Sequence, residues 1–398
     1  MQEHLTFVVV ALMLVSAFAA RGAEPVFASA AFDAGPGDWT SAPAGAKGAK
    51  AECSGGALST NGPRWQSPTF PVQPFEFYRV TFRAQGTGPG MWAAVFFDRE
   101  GQPLASDHYS GFDASGDELD HEAIFCARAE ARTAQLWFHP LNSPQDTVRI
   151  RSAGVVAAER QEVARWADAV YRGLPPVDWQ APPERLARLP RTIEALKAGK
   201  TLRVVMLGDS IVNDTGNSAW NVLVERHYPG ARLDVVASVR GGTGCQYYQA
   251  ENRVEEYVIR YRPDLLIVGG ISNGFDVEAI RSVIRQVRAK ISPEILLMTD
   301  PVGTQGDPRA WPERMVQPGK AGLETRRYLK NVGDYRVGLQ QLADAEGCEF
   351  LDIGTAWQSY IARCGKPYEF FLRDPVHCNH RGHQVLAKIL ERHFSPRE

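Results

Sequence analysis

The sequence predicts an α/β domain built on a parallel five-stranded sheet with helices on both faces, preceded by an all-β sandwich. Three observations carry this. From Thr201 onward, short apolar runs alternate with segments of helical spacing. Between Val26 and Val156, short β-type runs are separated by Gly, Pro, Asp and Ser clusters with hardly a helical period. The stretch between the two is broken at Pro175-Pro176 and Pro182-Pro183.

In chain order, Leu5 to Ala20 is apolar apart from Thr6 and Ser16 and ends in Ala17-Phe18-Ala19, an A-x-A cleavage site. Residues 1–22 therefore read as a signal peptide, and the expected location is exported, periplasmic or extracellular. An uncleaved N-terminal anchor is the alternative, although a run this short falls below the ~20 residues of a membrane span. Residues 24–157 form the expected sandwich. Phe77 to Arg83 alternates, Met91 to Phe97 is nearly all apolar, Asp98-Arg99-Glu100-Gly101 turns the chain, and Ala134 to Phe138 and Val148 to Ile150 continue the pattern. Residues 158–200 read as a helical, proline-rich connector, starting with Val163, Trp166, Ala167 and Val170 and resuming around Ile193 to Leu196.

Residues 201–398 form the α/β domain. Leu202 to Leu207, Leu233 to Val239, Leu265 to Val268, Ile295 to Met298 and Phe350 to Ile353 are its five strands. Ile280, Val283, Ile284 and Val287 repeat the i, i+3, i+4, i+7 spacing of a helix that covers them. In such a sheet, chemistry gathers at the carboxyl ends of the strands.

The 398 residues are 44% hydrophobic and 23% charged, the balance of a globular chain with a real core. Its 44 basic and 46 acidic residues leave a formal charge of −2 with no basic run, which argues against nucleic acid and anionic membrane as partners. Export makes disulfides available to the six cysteines, and Cys53 and Cys126, alone in the first half, are the expected pair. Cys245, Cys348, Cys364 and Cys378 follow no metal-ligand spacing.

Two segments carry candidate chemistry. Val204 to Leu207 runs into Gly208-Asp209-Ser210 and then a helix, which places a hydroxyl at a sharp turn beside helix N–H dipoles. In this segment alone Ser210 reads equally as an ordinary helix N-cap. Near the C-terminus, Asp374-Pro375-Val376-His377 spaces a carboxylate three residues before an imidazole, so that Asp374 can orient His377 while the other ring nitrogen faces a serine. An exposed Asp/His turn is the alternative.

Together these segments resemble the SGNH/GDSL hydrolase family over Thr201 to about Phe394. The family has Gly-Asp-Ser after the first strand and Asp-x-x-His before the last helix, and both stand here in that order. Two further blocks have counterparts. Arg240-Gly241-Gly242 follows the second strand, where the family has an oxyanion-hole glycine, assigned to Gly241 with Gly242 one residue away. Gly269-Gly270-Ile271-Ser272-Asn273 follows the third, where the family has an asparagine. This chain departs from the family in reading Ile271-Ser272-Asn273-Gly274 in place of Gly-x-Asn-Asp, and Ile211 in place of Leu after the serine. The resemblance implies a Ser210–His377–Asp374 triad, an oxyanion hole of the Ser210 and Gly241 N–H groups with the Asn273 amide, and no cofactor or metal.

The N-terminal half resembles the jelly-roll modules that accompany carbohydrate esterases, in which case Trp92, Tyr109, Phe112 and Trp137 either stack on sugars or fill the core. The expected function is a secreted carboxylic-ester hydrolase removing acetyl groups from a polysaccharide, with an acylated carbohydrate as substrate and no stable membrane insertion after processing. The rival readings are a lipid esterase or lysophospholipase, and a carbohydrate-binding protein with a decayed hydrolase domain. His383 reads as structural, Asn213 and Asp214 as pocket or capping residues, and Trp311 as cleft or surface.

Overall fold

The strict alternation of Thr133–Pro140 has a direct structural outcome: Ala134, Leu136 and Phe138 are buried, while Thr133, Gln135, Trp137 and His139 between them are half-buried. The computed structural model describes residues 24–396 except 31, 43–47, 142, 270–275, 300–322 and 375. The apolar N-terminal segment, Asn273 and Trp311 lie outside the described residues. No helix among the described residues is long and apolar enough to cross a membrane. The chain divides into two compact units, Met1–Val163 and Ala164–Glu398.

Among its described residues the first unit has twelve strands: β1 (Pro25–Ala30), β2 (Thr40–Ala42), β3 (Ala51–Ser54), β4 (Ala57–Thr60), β5 (Arg64–Gln66), β6 (Phe70–Pro71), β7 (Phe77–Gly86), β8 (Pro89–Phe97), β9 (His108–Asp113), β10 (Leu119–Cys126), β11 (Thr133–Pro140) and β12 (Val148–Ala158). They pair antiparallel in two six-stranded sheets, one ordered β10-β7-β12-β4-β3 with β1 also on β12, the other β2-β5-β11-β8-β9 with β6 also on β11. Leu58, Tyr78, Val80 and Phe82 from one sheet share a core with Trp92, Phe96, Leu136 and Phe138 from the other, which makes the sandwich. The four aromatics considered for sugar stacking divide here. Trp92 and Phe112 are core residues, whereas Tyr109 and Trp137 are half-buried on the other face of their sheet, where the Arg64 guanidinium lies 3.8 Å from the Trp137 ring centre.

The expected Cys53–Cys126 disulfide is absent. Cys53 lies on β3 and Cys126 on β10, the two ends of the same sheet. Four strand steps separate them by roughly 19 Å, whereas a disulfide needs Cα atoms within about 7 Å. The thiols donate instead to main-chain carbonyls, Cys53 to Phe32 and Cys126 to Ala127. Cys245, Cys348, Cys364 and Cys378 are buried thiols.

In the second unit, β13 (Thr201–Gly208), β14 (Arg232–Val239), β15 (Leu265–Val268), β16 (Glu294–Met298) and β17 (Glu349–Leu351) form a parallel sheet ordered β14-β13-β15-β16-β17. Every residue of β15 and β16 is buried, as a strand covered by helices on both faces requires. The order reverses at β13, whose successor β14 lies on one side and β15 on the other. The end of β13 is thus the switch point, where such sheets place their binding crevice.

The proline-broken stretch contributes to this unit's core. Helix α1 (Arg160–Tyr171) supplies Ala167, and Leu189 and Leu196 flank and line α2 (Pro190–Lys197). Helix α2 begins with Pro190 and has no side-chain cap of its own. Glu294 at the start of β16 supplies one, accepting from Arg191 N–H (2.9 Å) and Thr192 N–H (2.7 Å). Glu349 at the start of β17 likewise accepts from Leu186 N–H (2.7 Å) and Arg188 N–H (3.3 Å). Glu294→Ala is expected to lower stability by about 1–3 kcal/mol, because two helix amides lose a charged acceptor. Urea unfolding that leaves the midpoint where it was would show that water replaces the carboxylate without loss.

Candidate active site

β13 ends at Gly208, and α3 (Ser210–Gly216) begins two residues later. A Cβ on Gly208 would stand 2.5 Å from the Gly269 carbonyl oxygen and 2.4 Å from Val212 Cγ2, so only glycine fits where the first and third strand ends converge. The Gly208 carbonyl accepts from Arg240 N–H (3.1 Å) and from the buried Tyr248 hydroxyl (2.6 Å), which fixes the turn. Asp209 then caps the helix, its carboxylate accepting from Ile211 N–H (2.9 Å) and Val212 N–H (3.4 Å). The two readings of Ser210 are thereby separated: capping belongs to Asp209, and Ser210 is the first helical residue, half-buried.

The Ser210 hydroxyl meets His377 instead, at 2.9 Å from Nε2. His377 Nδ1 lies 2.8 and 2.9 Å from the two Asp374 oxygens. Asp374 Oδ1 also accepts from the N–H groups of Val376 and His377, each at 2.9 Å, so the carboxylate is held by its own loop. Burial would raise the Asp374 pKa; the hydrogen bond and charge of His377, the Val376 N–H and the Arg373 cation outweigh it and hold the group at about 2.

Behind this loop lies α4 (His380–Phe394), capped by Asn379. Asn379 Oδ1 accepts from Arg381 and Gly382 N–H, and its amide donates to the carbonyls of Phe370 (2.9 Å) and Leu372 (3.2 Å). His383 is buried in α4 with Nε2 3.6 Å from Asp214, a structural place, as its sequence position suggests. Asp214 is fully buried. Its carboxylate accepts from Arg373 Nη1, 2.9 Å from each oxygen, and from Cys378 N–H at 3.0 Å. Burial would raise its pKa, but Arg373 and His383 lower it. Arg373 has no place in the sequence reading; its one signal there was adjacency to Asp374.

Gly241 and Gly242 lie in an exposed turn just after β14, at the carboxyl edge of the sheet. Gly242 has φ +67°, the left-handed conformation that makes the turn, while Gly241 lies outside that region and a Cβ there would meet nothing within 4 Å. Asn273 is outside the described residues, so the geometry covers the serine, the imidazole and its carboxylate.

A parallel sheet with a serine hydroxyl at its switch point, bonded to a carboxylate-held imidazole, defines an α/β serine hydrolase. Residues 206–385 match the GDSL-like lipase/acylhydrolase family, and the second unit is a serine esterase domain of the SGNH/GDSL type. No curated protein matches the chain. Among solved structures, the chain is similar to an acetylxylan esterase from Geobacillus stearothermophilus, at 21% identity, over 49% of this chain and 95% of that one, with a TM-score of 0.38. It is similar also to a two-domain esterase active on acetylated mannans, at 18% identity, over 52% of each chain, TM-score 0.39.

The depressed Asp374 pKa has a definite sign. Its ordinary value is 3.8 and its folded value about 2, so its contribution to stability is full above pH 4 and is lost as pH falls toward 2. Asp374→Asn is expected to be less stable than wild type at neutral pH by about 1–2 kcal/mol, after allowance for partial solvent screening. The difference should shrink to nothing at the acid end. Parallel stability curves down to pH 2 would contradict the assignment.

Proposed function

We propose that this protein is an exported esterase that removes acetyl groups from a polysaccharide, with Ser210 as nucleophile and His377 as general base. The observation that carries the acyl-transfer chemistry is the unbroken hydrogen-bond chain Ser210 Oγ–His377 Nε2 and Nδ1–Asp374. His377 takes the hydroxyl proton as Ser210 Oγ attacks the ester carbonyl carbon, and ionised Asp374 stabilises the imidazolium that forms. The N–H groups of Ser210 and Gly241 and the Asn273 amide receive the negative charge on the carbonyl oxygen, each donor worth roughly 3 kcal/mol in the transition state. The tetrahedral intermediate collapses, the sugar oxygen leaves with the proton from His377, and an acetyl-serine remains. Water, deprotonated by His377, then attacks that ester and acetate departs, returning the proton to Ser210.

The polysaccharide substrate is supported by the accessory sandwich, a separate unit with a core of its own, and by the apolar leader, read as an export signal. The polar loop Arg240-Gly241-Gly242-Thr243 beside the serine turn offers no greasy wall to an acyl chain, which weighs against a lipid substrate. Acetate released from acetylated xylans or mannans, measured by mass spectrometry beside lysophospholipid controls, decides between the two classes.

Ser210→Ala should reduce hydrolysis of p-nitrophenyl acetate by about 10⁴–10⁶-fold with the fold intact, and His377→Ala by a similar factor. The double variant should be little worse than either, since triad members act as a unit. Near-wild-type turnover in Ser210→Ala, or full additivity, would sink the assignment. A fragment from about residue 159 retains the whole catalytic apparatus and should hydrolyse the aryl acetate. It should lose activity on polymer if the sandwich supplies binding, through lowered effective concentration. Equal kcat/KM for both substrates in fragment and full chain would leave the sandwich no substrate role.

A further inference from the structure

The Ser210–His377 hydrogen bond cannot by itself hold the loop that carries the base. On the triad reading proposed above, that bond is given up in each cycle when Ser210 is acylated, yet His377 must stay in place to activate water. Something else must bind the helix of the nucleophile to the loop of the base.

Asp214 is on α3, four residues after Ser210, which is one helical turn or about 6 Å along the axis. The Leu372–Cys378 segment closes on itself, with Leu372 and Cys378 paired as an antiparallel bridge and Arg373 N–H donating to the His377 carbonyl at 3.0 Å. Asp374 and His377 are carried between those ends. Both ends grip the same carboxylate: Arg373 Nη1 lies 2.9 Å from each Asp214 oxygen, and Cys378 N–H lies 3.0 Å from Oδ2. Arg373 Nη1 also donates to the Cys378 carbonyl at 2.5 Å, and its Nε stands 3.8 Å from Asp374. The Arg373 side chain is 7% exposed and that of Asp214 1%, so water does not compete for the pair.

We propose that Asp214 and Arg373 are the positioning residues of the triad, a buried ion pair that ties the Asp374–His377 loop to the Ser210 helix. None of their atoms reaches the ester. They act by keeping His377 at proton-transfer distance from Ser210 when the direct bond is broken. Arg373 has a second effect, because its cation lies against two carboxylates, Asp214 at 2.9 Å and Asp374 at 3.8 Å, and His377 acts electrostatically on both. The charged and titratable groups around it are Asp214 from α3, Asp374 and His377 from its own loop, and His383 from α4. Without its cation, both carboxylates act on the imidazole unopposed and stabilise the protonated base.

The test uses the full-length enzyme and p-nitrophenyl acetate. Each variant is first titrated with a fluorophosphonate, so that kcat is counted per competent serine and loss of folded protein does not register. Arg373→Met should lower kcat about 10²-fold, the effect of misplacing a catalytic group by about 1 Å, with KM nearly unchanged. The acid limb of its pH profile should move to higher pH. Arg373→Lys keeps the charge but not the fork, so it should restore the wild-type acid limb and recover kcat only in part. Asp214→Asn should lower kcat without moving the acid limb upward. If Arg373→Met does not fold, Arg373→Lys and Asp214→Asn decide alone. Wild-type kcat per competent serine and an unmoved profile in these variants, whatever their melting temperature, would overturn the proposal. Ser210→Ala in parallel separates the two readings: if it is inactive while the clamp variants are normal, the triad stands and the clamp falls.

Discussion

A carboxylate taken out of water needs N–H donors around it, and the second unit is assembled under that constraint. Asp214 is fully buried and is satisfied by Arg373 and Cys378 N–H. Asp209 is satisfied by the first amides of the serine helix, Glu294 by the first amides of α2, and Glu349 by the Leu186 and Arg188 amides just before α2. Asp209, Glu294 and Glu349 each finish the hydrogen bonding of backbone amides at or just before a helix start. The same device recurs at the candidate active site, where Asp374 accepts from two amides of its own loop as well as from the imidazole.

Much of the candidate site was legible because its signals are local. Asp374 and His377 are three residues apart, and Gly208-Asp209-Ser210 ends a buried strand. The division of labour between Asp209 and Ser210 was not legible, since both residue types cap helices and only the fold shows which carboxylate or hydroxyl faces the amides. Arg373 and Asp214 stand 159 residues apart, and no spacing rule joins them. The cap on α2 comes from Glu294, about a hundred residues on, which is why a proline-broken stretch looked like a connector while its residues enter the core.

The sandwich shows where periodicity helps and where it stops. Alternation placed the strands, and it correctly implies two faces, but it does not say which face is covered. Trp92 and Trp137 lie on adjacent paired strands, yet one is core and the other half-exposed under an arginine. Composition gives both residues the same reading; only strand register separates them.

The separation of Cys53 from Cys126 carries a consequence for handling the molecule. Small extracellular domains often rely on covalent cross-links to offset a thin core. This sandwich instead rests on a dense aromatic interior, in which Phe82 packs edge-on against Phe112 and Phe138. Its architecture is therefore indifferent to thiol reductants, and a reducing cytoplasm is as good a place to fold it as an oxidising one.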